Sequence, residues 1–297
     1  MRNLIVCLAL TPLAFAASVC GGHGDRSSML VSTAWLADHL NDPNLVVLGV
    51  GQKPEYDSGH IPGSLYIDYH ETHLMQSPSG LSVELPPMSD LAEVFGKAGV
   101  TNDSHVVLYK LNNWTSQTAR IWLTLDAMGL GKRASMLDGG FPLWQKEGRA
   151  VSTEVRAVKR GKLDPCAQND VITNLDYVRS NLRHPGVALI DARMKDFWTG
   201  ARTDNRQGHI PGAGSLPFED LLDDSGRLKS PEAIQSLLEN AGAKRGDRVV
   251  VYCHIGQRAS MVYFAARSIG WDVRLYDGSW EEWARTKELP VEVPASK

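Results

Sequence analysis

The sequence predicts an α/β protein of two similar domains, each a parallel sheet with helices on both faces. The first observation is an internal repeat: Gly-His-Ile-Pro-Gly occurs at residues 59–63 and again at 208–212, and such self-similarity indicates duplicated units. The second is that short apolar runs alternate with helix-like segments in both halves, which favours parallel strands joined by helices. The third is the length, since 297 residues suit two domains.

Two further matches extend the repeat in the same order. Residues 106–109 correspond to 249–252 at an offset of 143, and the segments that begin at Leu137 and Tyr276 correspond at an offset of 139. Small shifts in offset are expected where loops differ in length between copies of one unit. The sequence is therefore divided into the following parts: a signal peptide over 1–16, an N-terminal domain over 28–146, a linker over 147–165, which has many charges and little apolar periodicity, and a C-terminal domain over 166–297.

Strands and helices can be predicted within each half. Runs rich in β-branched residues predict buried strands, and longer segments that are apolar nearly all round, or that begin with proline, predict helices. In the first half, strands are expected at 46–50 and 106–109, with a helix at 116–128. In the second half, strands are expected at 187–190, 249–252 and 273–276, with helices at 231–240, 259–269 and 280–285.

The N-terminus has the pattern of a secretory signal. Arg2 precedes an apolar run over 4–13, and Ala14 and Ala16 are the small residues that a signal peptidase requires. We expect cleavage after Ala16 and export, in a bacterium to the periplasm. A tethered helix is the alternative, although the run is shorter than the roughly 20 residues that span a bilayer.

Composition excludes several classes of protein. The chain is 43% hydrophobic, with 31 basic and 34 acidic residues, which argues against a strongly basic nucleic-acid binder. Its four cysteines contain no Cys-x-x-Cys pair, so no structural zinc site is expected, and no motif indicates a cofactor, a metal or a later membrane span. We expect a monomer. Whether Cys20 and Cys166 pair stays open, and Val19 disfavours lipidation of Cys20.

Cys253 lies where chemistry is expected. It ends the predicted strand 249–252, a short loop with Gly256 follows, and a helix begins near Ala259. The N–H groups of such a loop and helix start stabilise an anion, and Arg258 adds a full positive charge. Cys253 is therefore a candidate nucleophile, and a buried free cysteine that closes a core strand is the alternative.

These residues give a resemblance to a known family. The region 32–290 resembles the tandem-domain rhodaneses, the thiosulfate and 3-mercaptopyruvate sulfurtransferases, in both Gly-His-Ile-Pro-Gly turns, in residues 191–193, in the cysteine loop 253–258 and in residues 276–283. The resemblance implies two rhodanese-like domains, of which the C-terminal one is catalytic and the N-terminal one inactive. The first half indeed has Lys110 where the second has Cys253.

The length of the cysteine loop separates two chemistries. Related phosphatases have five residues between the cysteine and the arginine, whereas four lie between Cys253 and Arg258. The smaller ring resembles the sulfurtransferase loop, whose N–H donors converge on one sulfur atom. We expect a Cys253 persulfide, stabilised by a substrate-binding loop that comprises His254, Ile255, Gly256, Gln257 and Arg258.

Some roles within this loop and around it have alternatives. Arg258 is expected to bind a sulfonate or to brace the loop, His254 to touch substrate or remain solvated, and Gly256 to supply a positive φ or a close approach. His60 and His209 recur in both halves, so we expect them to be structural, as we do for Asp191 with Arg193. Trp280 and Trp283 are expected to pack, with Trp280 possible at the border of the pocket.

One position departs from the family pattern. Tandem rhodaneses often have a substrate-binding arginine just before the aromatic residue represented here by Phe197, and this chain has Asp196. An acid repels a dianion, so Lys195, Arg202 or Arg206 substitutes, of which we favour Arg206, or the donor differs.

The resulting hypothesis is an exported enzyme that moves sulfur from thiosulfate to cyanide or a thiol. Its partners are a small anionic sulfur donor and a thiophilic acceptor. The alternatives are a 3-mercaptopyruvate sulfurtransferase and a noncatalytic sulfane-sulfur carrier.

Overall fold

The computed structural model describes residues 23–203 and 205–294. The expected signal peptide and Cys20 lie outside these residues, so those predictions stay predictions. Within the described residues, the structure has no helix that is both long enough and apolar enough to cross a membrane.

The N-terminal sheet is built from five parallel strands. Their bounds are β1 Leu30–Val31, β2 Leu45–Val50, β3 Leu65–Ile67, β4 His105–Lys110 and β5 Ala134–Leu137. They lie side by side in the order β1-β5-β4-β2-β3, and every pairing is parallel. The long central strands are nearly continuous apolar runs, as expected of a sheet that is covered on both faces.

The C-terminal sheet repeats this arrangement. Its strands are β6 Ile172–Thr173, β7 Val187–Asp191, β8 Gly214–Ser215, β9 Arg248–Tyr252 and β10 Val273–Tyr276. Their order, β6-β10-β9-β7-β8, is that of the first sheet shifted by five strands, and all pairings are again parallel. The predicted duplication of an α/β unit is thereby confirmed.

Helices join the strands of both sheets. In the first half they are α1 Arg26–Met29, α2 Thr33–His39, α3 Lys53–Ser58, α4 Met88–Lys97, α5 Thr115–Ala127 and α6 Gly140–Lys146. In the second half they are α7 Leu175–Ser180, α8 Lys195–Thr199, α9 Pro231–Asn240, α10 Ala259–Ser268 and α11 Ser279–Arg285. Short 3₁₀ helices occur at Tyr69–Thr72, Gly131–Arg133 and Phe218–Leu221.

All nine predicted strands and helices are present, each within one residue of its expected bounds. Local chemistry accounts for this agreement. For example, α9 begins at Pro231, where a missing N–H costs nothing, and the Ser230 hydroxyl accepts the N–H of Ala233. Residues 147–165, all of which the structure describes, contain no helix or strand.

One apolar core extends through both domains. It includes side chains from both sheets, and α5 and α10 pack against each other at its centre, where the ring of Trp122 meets that of Phe264 edge-on at 4.9 Å. A separate apolar cluster covers the outer face of each sheet. The two repeats therefore share their inner faces.

Two loops cross from one domain to the other. The first cross-loop (residues 74–84) is closed by an antiparallel bridge between Leu74 and Glu84, and the second cross-loop (residues 222–228) by one between Leu222 and Leu228. Each cross-loop contacts the other domain. The Ser82 N–H donates to the carboxylate of Glu281 on α11, and the Leu228 N–H donates to the carboxylate of Asp138, which directly follows β5.

Candidate active site

Cys253 directly follows β9 at the carboxyl edge of the C-terminal sheet. It is a free thiol and only 1% exposed. Its N–H donates to the Ser279 hydroxyl at 3.3 Å, and its carbonyl accepts the N–H of Trp280 at 2.9 Å. The start of α11 thus fixes the backbone of Cys253. This edge is the usual ligand-binding position in open parallel sheets.

The loop after Cys253 has unused backbone donors. In the described part of the chain, the N–H groups of residues 255–258 donate no hydrogen bond to another residue. Gly256 has φ of +80°, and a Cβ there would lie 3.1 Å from the Asp277 carbonyl and 3.2 Å from Arg120 Nη1. Both roles expected of this glycine, a positive φ and a close approach, are therefore confirmed.

A cavity of about 400 Å³ opens at Cys253. Its wall combines apolar groups with two arginines and consists of Met194, Phe197, Arg202, Cys253, His254, Ile255, Gln257 and Arg258. Four of the six predicted substrate-binding residues thus lie at the cavity. The edge-on contact of His254 with Phe197, 4.5 Å between ring centres, fixes one side of the mouth.

Arg206 is placed elsewhere. It is not among the cavity-lining residues. Its guanidinium donates to the carbonyls of Thr286, at 3.4 Å, and Leu289, at 2.6 Å. Arg206 therefore holds the chain after α11 in place, and the structure brings Arg202 to the cavity instead.

Asp196 does not line the cavity either. Its carboxylate accepts the N–H of Phe197 at 2.9 Å and lies 3.9 Å from the guanidinium of Arg202. Arg202 in turn stacks over the Phe197 ring, with its central carbon 4.7 Å from the ring centre. The acid is therefore a neighbour of the cavity arginine and not a direct obstacle to an anion.

The N-terminal domain also contacts the cysteine loop, through the side chain of Gln257. The Gln257 amide donates to the Ser116 hydroxyl at 3.2 Å and accepts the Tyr69 hydroxyl at 3.0 Å. Burial raises the pKa of Tyr69 well above its usual value, so Tyr69 remains a neutral donor. The N-terminal repeat thus holds Gln257, whose side chain lines the cavity, in place.

A buried arginine of the N-terminal domain also lies behind the loop. Arg120, on α5, is fully buried. Its Nη2 lies 2.6 Å from Asp277 Oδ1 and donates to the Val83 carbonyl at 2.6 Å. No sequence pattern singled out Arg120, although an arginine within the predicted helix 116–128 that covers the sheet was a possible signal.

Other residues singled out by the sequence belong to the scaffold. The Arg193 guanidinium pairs with Asp191 at 2.7 Å, and both side chains are buried, as the expected brace requires. His60 and His209 lie in equivalent turns, and each pairs its backbone with a later segment, at Ser152 and Glu292 respectively. The two turns thus fasten the ends of the two domains in the same way.

Lys110 occupies the position equivalent to Cys253. Its ammonium group donates to the Thr115 hydroxyl at 3.1 Å and to the Gly226 carbonyl of the second cross-loop at 3.4 Å. Burial lowers the pKa of Lys110, and the space beside it is only about 20 Å³. This position is therefore closed, and the inactivity of the N-terminal domain stays a prediction.

Trp280 is buried beneath the site. The guanidinium carbon of Arg193 lies 4.3 Å from the centre of its ring, and Trp280 does not line the cavity. Elsewhere, Cys166 is disulfide-bonded. No cluster of His, Cys, Asp or Glu among the described residues is arranged to hold a metal ion.

The two repeats match one family. The family profile described as "Rhodanese-like domain" matches residues 32–147 and again 174–286, which contain four of the five strands of each sheet. The chain belongs to the rhodanese family. Both predicted copies of the domain are thus assigned to this family, and the cysteine loop falls in the second copy.

Relatives of this rhodanese family member align over nearly their whole length. The sulfur carrier protein TtuD of Thermus thermophilus is 31% identical, over 89% of this chain and 96% of its own length. A thiosulfate sulfurtransferase of Pseudomonas aeruginosa is 30% identical, over 89% and 97%. The crystal structure of SseA from Escherichia coli, a 3-mercaptopyruvate sulfotransferase, superimposes with a TM-score of 0.75 and 26% identity, over 84% of this chain and 98% of that one.

Proposed function

We propose that the protein is a thiosulfate sulfurtransferase that works through a Cys253 persulfide. One observation carries the proposal: a buried free thiol opens onto a small cavity that also presents two arginines and a loop of unused N–H donors. A cavity of about 400 Å³ is in the range of small-molecule sites. Both arginines suit a small dianion.

The transfer proceeds in two displacements. The Cys253 thiolate attacks the outer sulfur of thiosulfate, a new sulfur–sulfur bond forms, and the bond within thiosulfate breaks as its electron pair leaves with sulfite. Cyanide or a thiolate then attacks the outer sulfur of the persulfide, which gives thiocyanate or a new persulfide and returns the Cys253 thiolate. The covalent intermediate divides one transfer into two easier steps.

Charge stabilisation comes from the loop and the arginines. Among the described residues Arg258 forms no salt bridge, so its guanidinium is available to the sulfonate group. The guanidinium of Arg202 lies 3.9 Å from the Asp196 carboxylate, which is a long ion pair. The loop N–H groups are fixed in advance, and such preorganised donors stabilise negative charge that develops during a reaction.

The test is a persulfide measurement with a cyanide turnover assay. Wild-type protein is incubated with thiosulfate, its intact mass is read, and thiocyanate is measured after cyanide is added. We expect one added sulfur on the wild type, none on Cys253→Ser, and turnover only by the wild type. Full turnover by Cys253→Ser, or no adduct on the wild type with any donor, would contradict the proposal.

The same assay separates the alternatives. Replacing thiosulfate by 3-mercaptopyruvate tests the donor suggested by the likeness to SseA. A carrier role is suggested by the relative TtuD, named as a sulfur carrier. In that case Cys253 would take sulfur from a protein persulfide and turn over neither small donor. Because the residues that line the cavity and the N-terminal residues that hold its loop come from one chain, we propose that the protein acts as a monomer.

We also propose that the protein is exported to the periplasm. The disulfide bond of Cys166 supports this, since disulfides persist in oxidising compartments, and the expected signal at 1–16 supports it independently. Fractionation of the native host should find the mature chain, beginning at Ala17, in the periplasm. A cytoplasmic chain that retains Met1 would contradict export.

A further inference from the structure

We propose that Arg120, in the repeat that lacks the thiol, is a positioning residue for sulfur transfer at Cys253. This inference rests on the function proposed above for the same site. The guanidinium of Arg120 lies against the cysteine loop at Gly256 and supplies buried positive charge beside it. The N-terminal repeat thereby takes part in a reaction whose nucleophile belongs to the other repeat.

The guanidinium of Arg120 is fixed from two directions. Its Nη2 donates to the carbonyl of Val83 in the first cross-loop and pairs with the carboxylate of Asp277, which directly follows β10. The other oxygen of Asp277 accepts the N–H of Leu85 at 3.1 Å. Both partners of Arg120 are therefore anchored, and its planar fork has little freedom to move.

The backbone at Val83 is strained. Val83 has φ of +62°, a conformation that a β-branched residue rarely adopts and that costs about 1–3 kcal/mol. The strained residue is the one whose carbonyl meets Arg120 Nη2. Strain of this kind persists where surrounding contacts require it, and it is frequent at functional sites.

The rest of the guanidinium has no hydrogen-bond partner within the described residues, and its Nη1 lies beside the cysteine loop. Arg120 Nε and Nη1 are buried and form no hydrogen bond within the described residues. A Cβ on Gly256 would lie 3.2 Å from Nη1, so the loop backbone passes directly over the charge. A buried donor normally requires a partner, and an unused Nη1 beside an anion-binding loop is more than the fold alone needs.

The charge of Arg120 acts in the same neighbourhood as the nucleophile. Burial raises the pKa of Tyr69, and of the two nearby groups Arg120 lowers this pKa and Cys253 raises it, so both lie near the same hydroxyl. Asp277 offsets part of this charge, and a fixed dipole of this kind stabilises negative charge without reorganisation during the reaction. Arg120 does not line the cavity. Its loss should therefore slow the chemical step more than it weakens donor binding.

The experiment is single-turnover persulfide formation in the full chain. Sulfite release is followed at several thiosulfate concentrations to obtain a limiting rate and a half-saturating concentration. The proteins are wild type, Cys253→Ser, Arg120→Met, Arg120→Lys and the control Arg267→Met. Arg267 is also a buried arginine, but it bonds Tyr263 and Val273 at the far end of α10, roughly 13 Å of helix away from the loop.

We expect Arg120→Met to lower the limiting rate by about tenfold or more while the half-saturating concentration changes by less than about threefold. Arg267→Met should lower thermal stability similarly and keep the wild-type rate. Arg120→Lys keeps the charge but not the fork, so its rate should lie between those of the wild type and Arg120→Met.

Several results would overturn the inference. One is a wild-type limiting rate in folded Arg120→Met, and another is an equal loss of rate in Arg267→Met. If Arg120→Met does not fold, a wild-type limiting rate in Arg120→Lys would by itself be enough to overturn the inference. No adduct on the wild type would remove the proposed function and this inference together, whereas a normal wild-type adduct with unchanged Arg120 variants removes the inference only.

Discussion

Asp138 and Asp277 hold equivalent positions in the two repeats, and each accepts a hydrogen bond from the other domain. Asp138 Oδ1 accepts the N–H of Leu228 at 3.0 Å, and Asp277 Oδ2 accepts that of Leu85 at 3.1 Å. The second cross-loop and the residue that directly follows the first cross-loop are therefore fastened in the same way, in opposite directions. Among the described residues, Asp277 alone of the two also pairs with a buried arginine.

This pair predicts two different variants. Asp138→Asn and Asp277→Asn should each lower stability by about 1–3 kcal/mol, because each weakens a hydrogen bond of a charged acceptor. Asp277→Asn should in addition lower kcat by about tenfold, because Arg120 loses the carboxylate that orients it. Chemical denaturation and the cyanide assay measure the two effects. Equal kcat in both variants would show that the asymmetry has no part in the reaction.

The two arginines near α8 give a second matched pair. Arg202 lines the cavity, so Arg202→Ala should raise the KM for thiosulfate by about tenfold, as expected for loss of a charge-assisted contact. Arg206 binds two backbone carbonyls, so Arg206→Ala should lower the melting temperature and leave KM within about twofold. Steady-state kinetics and thermal unfolding test both. If Arg206→Ala raised the KM for thiosulfate and Arg202→Ala left it unchanged, the substrate contact would belong to Arg206 instead.

The sequence predicted the elements that have a strong local pattern. The apolar run of β9, the proline at the start of α9 and the repeated glycine-rich turns are local signals, and each was sufficient to locate its element. The strands β1, β6 and β8 have two residues each. A two-residue strand has no periodicity, so its pairing partner alone defines it.

Contacts between the repeats could not be predicted in this way. The position of a side chain in an irregular loop depends on tertiary contacts, which is why Arg206 was favoured although Arg202 reaches the cavity. The partners of Arg120 lie 37 residues before it, at Val83, and in the other repeat, at Asp277. No spacing rule links such residues, so only the folded chain brings them together.

Gly256 gives a third prediction. Gly256→Ala introduces a Cβ at positive φ and within 3.2 Å of Asp277 and Arg120, so it should cost about 1–2 kcal/mol or more and displace the loop. Gly242 also has positive φ, but nothing lies within 4 Å of its Cβ position. Gly242→Ala should therefore show the conformational cost without loss of kcat. A Gly256→Ala enzyme with wild-type kcat would contradict the need for close approach.

His73 predicts a loss of stability in acid. Burial lowers its pKa to about 4, from 6.5, and the ring is only 5% exposed, beside Tyr69 at 4.3 Å. The unfolded chain therefore binds a proton near pH 6.5 that the folded chain refuses until about pH 4. As the pH is lowered from 6.5 to about 4, the free energy of unfolding should therefore decrease, by about 3 kcal/mol in total from this residue.

Denaturation at several pH values tests this on His73→Gln, which cannot titrate. This variant should lose less stability than the wild type between pH 6.5 and pH 4. His184 is an exposed histidine, and His184→Gln should keep the wild-type profile. If His73→Gln follows the wild-type curve, the acid sensitivity arises elsewhere. If the stability of His73→Gln depends less on pH than that of the wild type, His73 is a source of the acid sensitivity. Because His73 packs against Tyr69 and Tyr69 donates to Gln257, this links acid stability to the wall of the active site.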